Sequence, residues 1–421
     1  MTTLPLVLVI GVDTPIGLTV VRELGLRGVA VHGVGCADSL SRASRYLTGF
    51  TVRPKGVEPA LWLPGLIAQT GAKAVFAISE TDLVSLSALG DAVAGCRILT
   101  PRAGPLGIVL DKGLTLAAAA AVGIDTPAAW QPRTADEPLP DGLGWPVVVK
   151  WADPIAVAGA LDAAGIPLTK AEFASDEPAL RALLGRYAAL GQFPLVQRYA
   201  HGRGLGQMLH MAGGVATLRF QHERLHEIPP EGGVSTLCRA VPLDRHTEQM
   251  AKSEALLASI GWQGPAMVEY RHDPASGRYV LMEINGRFWG SQPLAFHCGA
   301  HFAWEVYRRA LLGETSPAPA PRAGLRARFM IPETRRLIRL LRRTPIADPA
   351  FRARPLRDLL AWLLGFFDPR MRYYVFSLTD PGPFLADLAN VIRQVVPAGI
   401  RRRAPSPPPR SGGSMSGNRL G

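Results

Sequence analysis

The chain has 421 residues, 48% of them hydrophobic, which is enough for two or three cores of ordinary size. Residues 321–421 hold 19 Arg, no Lys and 6 acids, a net of +13, whereas residues 1–320 hold 27 basic and 28 acidic residues, a net of −1. No apolar run approaches the ~18 residues of a membrane helix, and four scattered cysteines with no C-x-x-C argue against a disulfide framework or a zinc site. The N-terminus has no basic region and no small-residue cleavage site, so a soluble, cytoplasmic protein is expected.

In chain order, LPLVLVIGV is a buried strand, TPIGLTVVRELGLRG a helix and VAVHGVG a second strand. LWLPGLIAQTG is a further helix and AKAVFAIS a further strand. Apolar strands separated by helices predict a parallel sheet covered on both faces. Residues 111–122 form an Ala-rich helix ending at Gly123, a residue suited to a left-handed cap. IDTPAAW and WPVVVKW are strands of a second unit. From Pro194 the pattern becomes antiparallel: PLVQRYA, GQMLHMAGG and VATLRFQHERLHEI alternate between Gly-rich turns. A helix over about 246–260 leads into AMVEYR and RYVLMEIN, joined by HDPASG, and HFAWEVYRRALLG closes this part as a helix. The Pro/Ala-rich stretch 316–324 is a linker. Beyond it lies a basic helical region, and a disordered tail is expected from about Arg401.

The strongest chemical signal is AMVEYRHDPASGRYVLMEINGRFWGS. Glu283 and Asn285 are two apart on a strand and share a face. A five-residue loop at 274–278 would pair residues whose numbers sum to 552, setting Glu269 opposite Glu283. Facing carboxylates repel unless a cation or proton lies between them. Two Glu and an Asn carbonyl form a hard oxygen site suited to Mg²⁺ that shares phosphate oxygens. Arg287, at the next same-face position, would reach anionic oxygens. The alternative is an amphipathic strand with solvated acids.

This E-x-N-x-R pattern, with VEY about fourteen residues earlier, resembles the metal-binding end of ATP-grasp enzymes of the carbamoyl-phosphate-synthase-like and carboxylate–amine ligase groups. The resemblance implies that Glu269, Glu283 and Asn285 hold two Mg²⁺ ions (or Mn²⁺) between ATP phosphates, and that Arg287 steadies the transferred phosphoryl group. It also draws on two of the chain's six lysines. Lys112 begins a helix that ends in GIDTP, and Lys150 lies in the apolar strand WPVVVKW, where a buried ammonium needs an anion. In the family such a pair touches ATP phosphates. A surface Lys and a snorkelling Lys are the alternatives.

The hinge PLVQRYAHGRGLG resembles the family strand whose backbone pairs with adenine, implying cofactor contacts from Gln197 and Tyr199. It departs at Arg198, where Glu is common. The family's Gly-rich loop after the second Lys is here WADPIAVAGALDAAGIPLTK, with only Gly159 and Gly165; Lys170 would contribute charge in place of backbone amides. GRGLG is either a turn or a phosphate loop. Arg219, Arg224 and Arg239, around a Gly-Gly turn, either recognise an acidic substrate or form an ordinary hairpin. GVDTPIG (11–17) lacks the dinucleotide fingerprint spacing but resembles a turn that helps hold substrate in the family.

The expected architecture is α/β and α+β. It comprises a parallel, Rossmann-like pre-ATP-grasp lobe (1–110), a small central lobe (111–193), an antiparallel β lobe (194–315), a basic helical extension (325–400) and the tail (401–421). The expected activity is an ATP- and Mg-dependent ligase joining a small-molecule carboxylate to an amine or thiol. A degenerate, non-catalytic ATP-binding sensor is the alternative. ETRRLIRLLRR places Leu337, Leu340 and Leu341 on one face, to pack on the body or to touch an anionic membrane surface or acidic partner. No base-reading platform for specific nucleic-acid binding is visible.

Overall fold

The computed structural model describes residues 3–395, apart from Lys170, Glu231, Pro345 and residues 347–350. Both the Lys170 expectation and the tail at 401–421 fall outside the described residues.

Strands β1 (Val7–Ile10), β2 (Val31–Gly35), β3 (Gly49–Val52), β4 (Ala74–Ala77), β5 (Ala92–Val93) and β6 (Cys96–Ile98) form the first sheet. Its order is β3-β2-β1-β4-β6-β5, parallel except for β5. Alternation splits β1 between two cores: Val7 and Val9 face one, Leu8 and Ile10 the other. Helix α1 (Pro15–Gly25) covers the first face, and α2 (Pro59–Thr70) and α3 (Glu80–Ser87) cover the second. Thr14 caps α1 by accepting from the Gly17 amide, with Pro15 at the first helical position.

Helices α4 (Ala103–Leu110) and α5 (Lys112–Ala121) follow. The Asp111 carboxylate caps α5 by accepting from the Leu114 amide at 2.9 Å. The second sheet contains β7 (Ala129–Trp130), β8 (Val147–Lys150), β9 (Glu172–Ala174) and β10 (Leu195–Arg198), antiparallel in the order β7-β10-β8-β9. It is covered by α6 (Pro154–Ala163) and α7 (Glu177–Gly185) around a core of its own, including Val147, Val149, Leu161, Leu180 and Val196.

The third sheet is seven-stranded. It comprises β11 (Arg203–Ala212), β12 (Val215–Ile228), β13 (Val234–Ala240), β14 (Gly264–Asp273), β15 (Arg278–Asn285), β16 (Arg326–Arg328) and β17 (Met371–Tyr373), in the order β15-β14-β11-β12-β13-β16-β17. Helices α8 (Thr247–Ser259), α9 (Gln292–His297) and α10 (Phe302–Tyr307) pack around it. Its two faces share the two cores of the first sheet, so these sheets form one body. Leu116 and Ala119 of α5 also lie in that body. Among the described residues no single helix is long and apolar enough to cross a membrane.

The extension is not purely helical. It contains α11 (Met330–Leu341), α12 (Pro355–Leu364) and α13 (Gly382–Val395), but β16 and β17 also continue the third sheet. Leu337 and Leu340 of α11 are buried, and Glu333 accepts from Thr236 and pairs with His226 at 2.6 Å. Helix α11 therefore packs on the body. Leu341, expected on the same face, is exposed. Buried Asp380 anchors the far end, accepting from Arg22 at 2.9 Å and from Ser44 at 2.7 Å.

Burial holds His210, His297 and His301 down to about 4 and His222 to about 3. The unfolded chain takes up those protons below about pH 6.5, so stability is lost as pH falls from there through the folded values. Glu23 acts in the opposite direction. Burial pushes its carboxyl up to about 8, although the Trp304 amide donates to it at 2.7 Å. Stability is therefore lost as pH rises from the ordinary carboxyl range through about 8. A thermal melt series should peak near pH 6–7. Glu23→Gln should raise Tm by about 3 °C at about pH 9 and leave the acid limb unchanged.

Gly286 supplies a packing test. A Cβ there would lie 2.4 Å from Cη2 of fully buried Trp262. Gly286→Ala should cost about 1–3 kcal/mol in urea unfolding. Gly107→Ala, in α4 with open space around it, should be neutral or stabilising by up to about 1 kcal/mol.

Candidate active site

The β14–β15 hairpin places Glu269 directly opposite Glu283, Val268 opposite Ile284 and Met267 opposite Asn285. The register expected for these pairs is present, but it arises differently. Asp273 pairs with Arg278, so the turn has four residues (274–277) instead of five. A bulge then inserts Met282 and shifts the pairing by one before Glu269 is reached. Glu269 and Asn285 are buried and Glu283 is half-buried. The Asn285 amide donates to Glu283 at 3.2 Å.

Arg224 is in direct contact with the acid pair. It runs from β12 across β11 and donates to Glu269 on β14. Gly204 makes the crossing possible: a Cβ there would lie 2.6 Å from Arg224 Cδ. GRGLG is thus neither turn nor phosphate loop. It opens β11, and its first strand glycine leaves the groove in which Arg224 lies. Arg224 also pairs with Glu227 at 3.1 Å, and Arg271 pairs with Glu227 at 3.0 Å, giving a chain of alternating charge. Burial alone would favour the neutral form of Arg224, but Glu269, Glu227 and Glu283 outweigh it and hold the guanidinium more firmly protonated than usual.

A cleft of about 490 Å³ lies between the second and third sheets. Lys112, Lys150, Gln197, Tyr199, Glu269, Glu283, Asn285 and Arg287 all line it. The Lys112 amide donates to Ala152 O at 3.2 Å, tying the start of α5 to the end of β8. Gln197 is buried on the cleft wall, and its Nε2 has no hydrogen-bond partner among the described residues. Arg198 is exposed, with its Nε over Gly144.

The segment compared with a Gly-rich loop contains helix α6. Its Asp153 cap accepts from Ile155 and Ala156 at 2.9 and 3.0 Å and lines the cleft. Of the three arginines near the Gly-Gly turn, only Arg224 reaches the cleft. Arg219 pairs with Glu254 at 2.5 Å, and Arg239 with Glu223 at 2.7 Å.

A second chamber of about 540 Å³ adjoins the first, lined by Gly11, Asp13 and Thr14 of the GVDTPIG turn, by Arg53 and by Ser79 through Asp82. Glu80, Arg224, Glu269, Glu283, Asn285 and Arg287 line both spaces. Glu80 is a site residue that the motifs do not mark. It pairs with Arg287 at 3.0 Å and lies just beyond the carboxyl end of β4, where parallel sheets commonly bind ligands. That position, in AISETD after an apolar strand, is the signal the sequence offers for it.

The donor set fits a hard cation that completes its shell with phosphate oxygens. Among the described residues no group of three or more His, Cys, Asp or Glu is placed to hold a metal alone. Here two carboxylates and one amide converge, with Arg224 on one carboxylate oxygen.

No family model and no curated protein matches the sequence. Solved structures do match in fold. Rhizobium etli pyruvate carboxylase aligns with TM-score 0.58 at 14% identity over 77% of this chain, which spans only 30% of that enzyme. An L-amino acid ligase from Bacillus licheniformis aligns with TM-score 0.56 at 16% identity, covering 75% of this chain and 78% of that one. N5-carboxyaminoimidazole synthase from Aspergillus clavatus, solved with ADP and 5-aminoimidazole ribonucleotide, aligns with TM-score 0.59 at 15% identity, covering 77% and 81%. Parallel first sheet, small second sheet and largely antiparallel third sheet with a cleft before its terminal hairpin together make this the fold of the ATP-grasp superfamily.

Proposed function

We propose that the protein is an ATP-dependent ligase that activates a small-molecule carboxylate as an acyl phosphate for attack by an amine or thiol. The observation that carries this reading is the acid pair Glu269–Glu283, flanked by Asn285 and Arg287 at the junction of two chambers, with Lys112 and Lys150 in the first. The first chamber would take ATP and the second the carboxylate. On this reading the parts are residues 1–110, 111–193 and 194–315, except that β10, from the third range, pairs into the second sheet and α5, from the second range, packs on the large body.

Lys112 and Lys150 would neutralise phosphate oxygens. Gln197 and Tyr199, on the hinge strand, would border the adenine. Glu269, Glu283 and Asn285 would hold Mg²⁺ or Mn²⁺, which when bound supplies charge neutralisation between the phosphates. Arg287, steered by Glu80, would balance charge on the migrating phosphoryl group. The substrate carboxylate oxygen attacks the γ-phosphorus and ADP leaves. The acceptor's nitrogen or sulfur then attacks the acyl carbon, loses its proton and expels phosphate. The chain's task is positioning and electrostatics, with no protein nucleophile.

ADP and phosphate release should be screened against amino acids, sugars and acyl compounds. Glu283→Gln should lower turnover by at least about a hundredfold, and Lys150→Ala should raise KM for ATP by about tenfold or more. Unchanged turnover in Glu283→Gln would disprove the metal assignment. One observation favours a second reading: an Asp153-capped helix stands where the family has a Gly-rich loop that covers the phosphates. Tight ATP binding with no ADP release across the whole panel would establish a nucleotide sensor instead.

A further inference from the structure

The helix with the plainest amphipathic sequence, α11, is packed on the body, whereas α12 leaves an apolar stripe exposed. Leu356, Leu360, Leu363, Leu364 and Phe367 are all exposed, Leu356 by 79% and Phe367 by 85%. Helical spacing places the four leucines on one side of α12, and Phe367 follows just beyond its end. The other side is fixed. Asp358 pairs with Arg336 at 3.6 Å, and Trp362 O accepts from Arg328 at 3.0 Å. The apolar stripe is therefore held outward by a docked helix.

The rim of this stripe is basic. Residues 351–373 contain five arginines and two acids. Both acids are already engaged by arginines from outside that segment, Asp358 by Arg336 and Asp368 by Arg326 at 3.5 Å. Exposed Arg352, Arg354 and Arg357 flank the start of α12 and Arg370 follows its end.

A second copy seated on this face would bring two arginine rims together. Residues 396–421 would not neutralise the rim, since they carry five arginines and no acid. We propose that the face docks on an anionic lipid surface, with the leucines and Phe367 entering the interface and the guanidiniums meeting headgroup phosphates. The sheet order suits this. The Glu269–Glu283 hairpin is at one edge of the third sheet, and β16 and β17 of the extension are at the other, so docking leaves the cleft open.

The test is flotation of the full chain with phosphatidylcholine vesicles, with or without phosphatidylserine. The protein should float with the anionic vesicles only, and less at high salt. Leu360→Glu combined with Phe367→Glu should weaken vesicle affinity about tenfold or more. Arg354→Glu with Arg357→Glu should do the same, and neither pair should change Tm or ADP release. Three results would overturn the proposal: no flotation, flotation that survives Leu360→Glu with Phe367→Glu, or a dimer that this pair converts to monomer in the absence of any vesicle binding.

Discussion

Two carboxylates fixed side by side on adjacent strands must have positive charge between or beside them. This constraint organises the third sheet around Glu269 and Glu283. Arg224 meets it in part by crossing β11, which requires the bare backbone of Gly204. Glu227 then balances Arg224, and Arg271 balances Glu227. Each charge is buried or nearly so and would be costly alone; as a chain they satisfy one another. The open side of the acid pair faces the two chambers, where a further cation and phosphate oxygens would complete the arrangement.

The partition of the apolar cores explains how the cleft is built. The first and third sheets share both of their cores, while the second keeps its own. Lys150 therefore belongs to a separately packed unit, and Lys112 sits on a helix whose Leu116 is buried in the large body. The walls meet through few backbone contacts, such as Lys112 N to Ala152 O and Leu281 N to Asp125 O at 2.9 Å. Separate cores joined by a few hydrogen bonds suit a cleft that must admit a large polar ligand.

The extension is bound to the same body at two levels. Its short strands add to the third sheet, and Asp380 closes onto Arg22 of α1 through a buried ion pair. A helix fixed in this way cannot rotate to hide its apolar side, so the exposed stripe on α12 is a property of the fold.

Much of this is legible in the sequence because the determinants are local. The unbroken apolar run VLVI announces a strand buried on both faces, and a hairpin joined by a short turn has its register written nearby. Residue spacing with a five-residue turn reaches the Glu269–Glu283 pair, but the turn has four residues, and the pairing is restored by the bulge at Met282, which the spacing does not signal. The positions of Lys112 and Lys150 follow from order along the chain. What only the tertiary structure decided are the long-range choices. Arg224 meets Glu269 across an intervening strand, Arg287 finds Glu80 from 207 residues away, and α11 takes the buried seat while α12 does not. Both helices are amphipathic in sequence, and periodicity records only that an apolar face exists. Which face meets the body depends on the surface available to it, and residues distant in the chain build that surface.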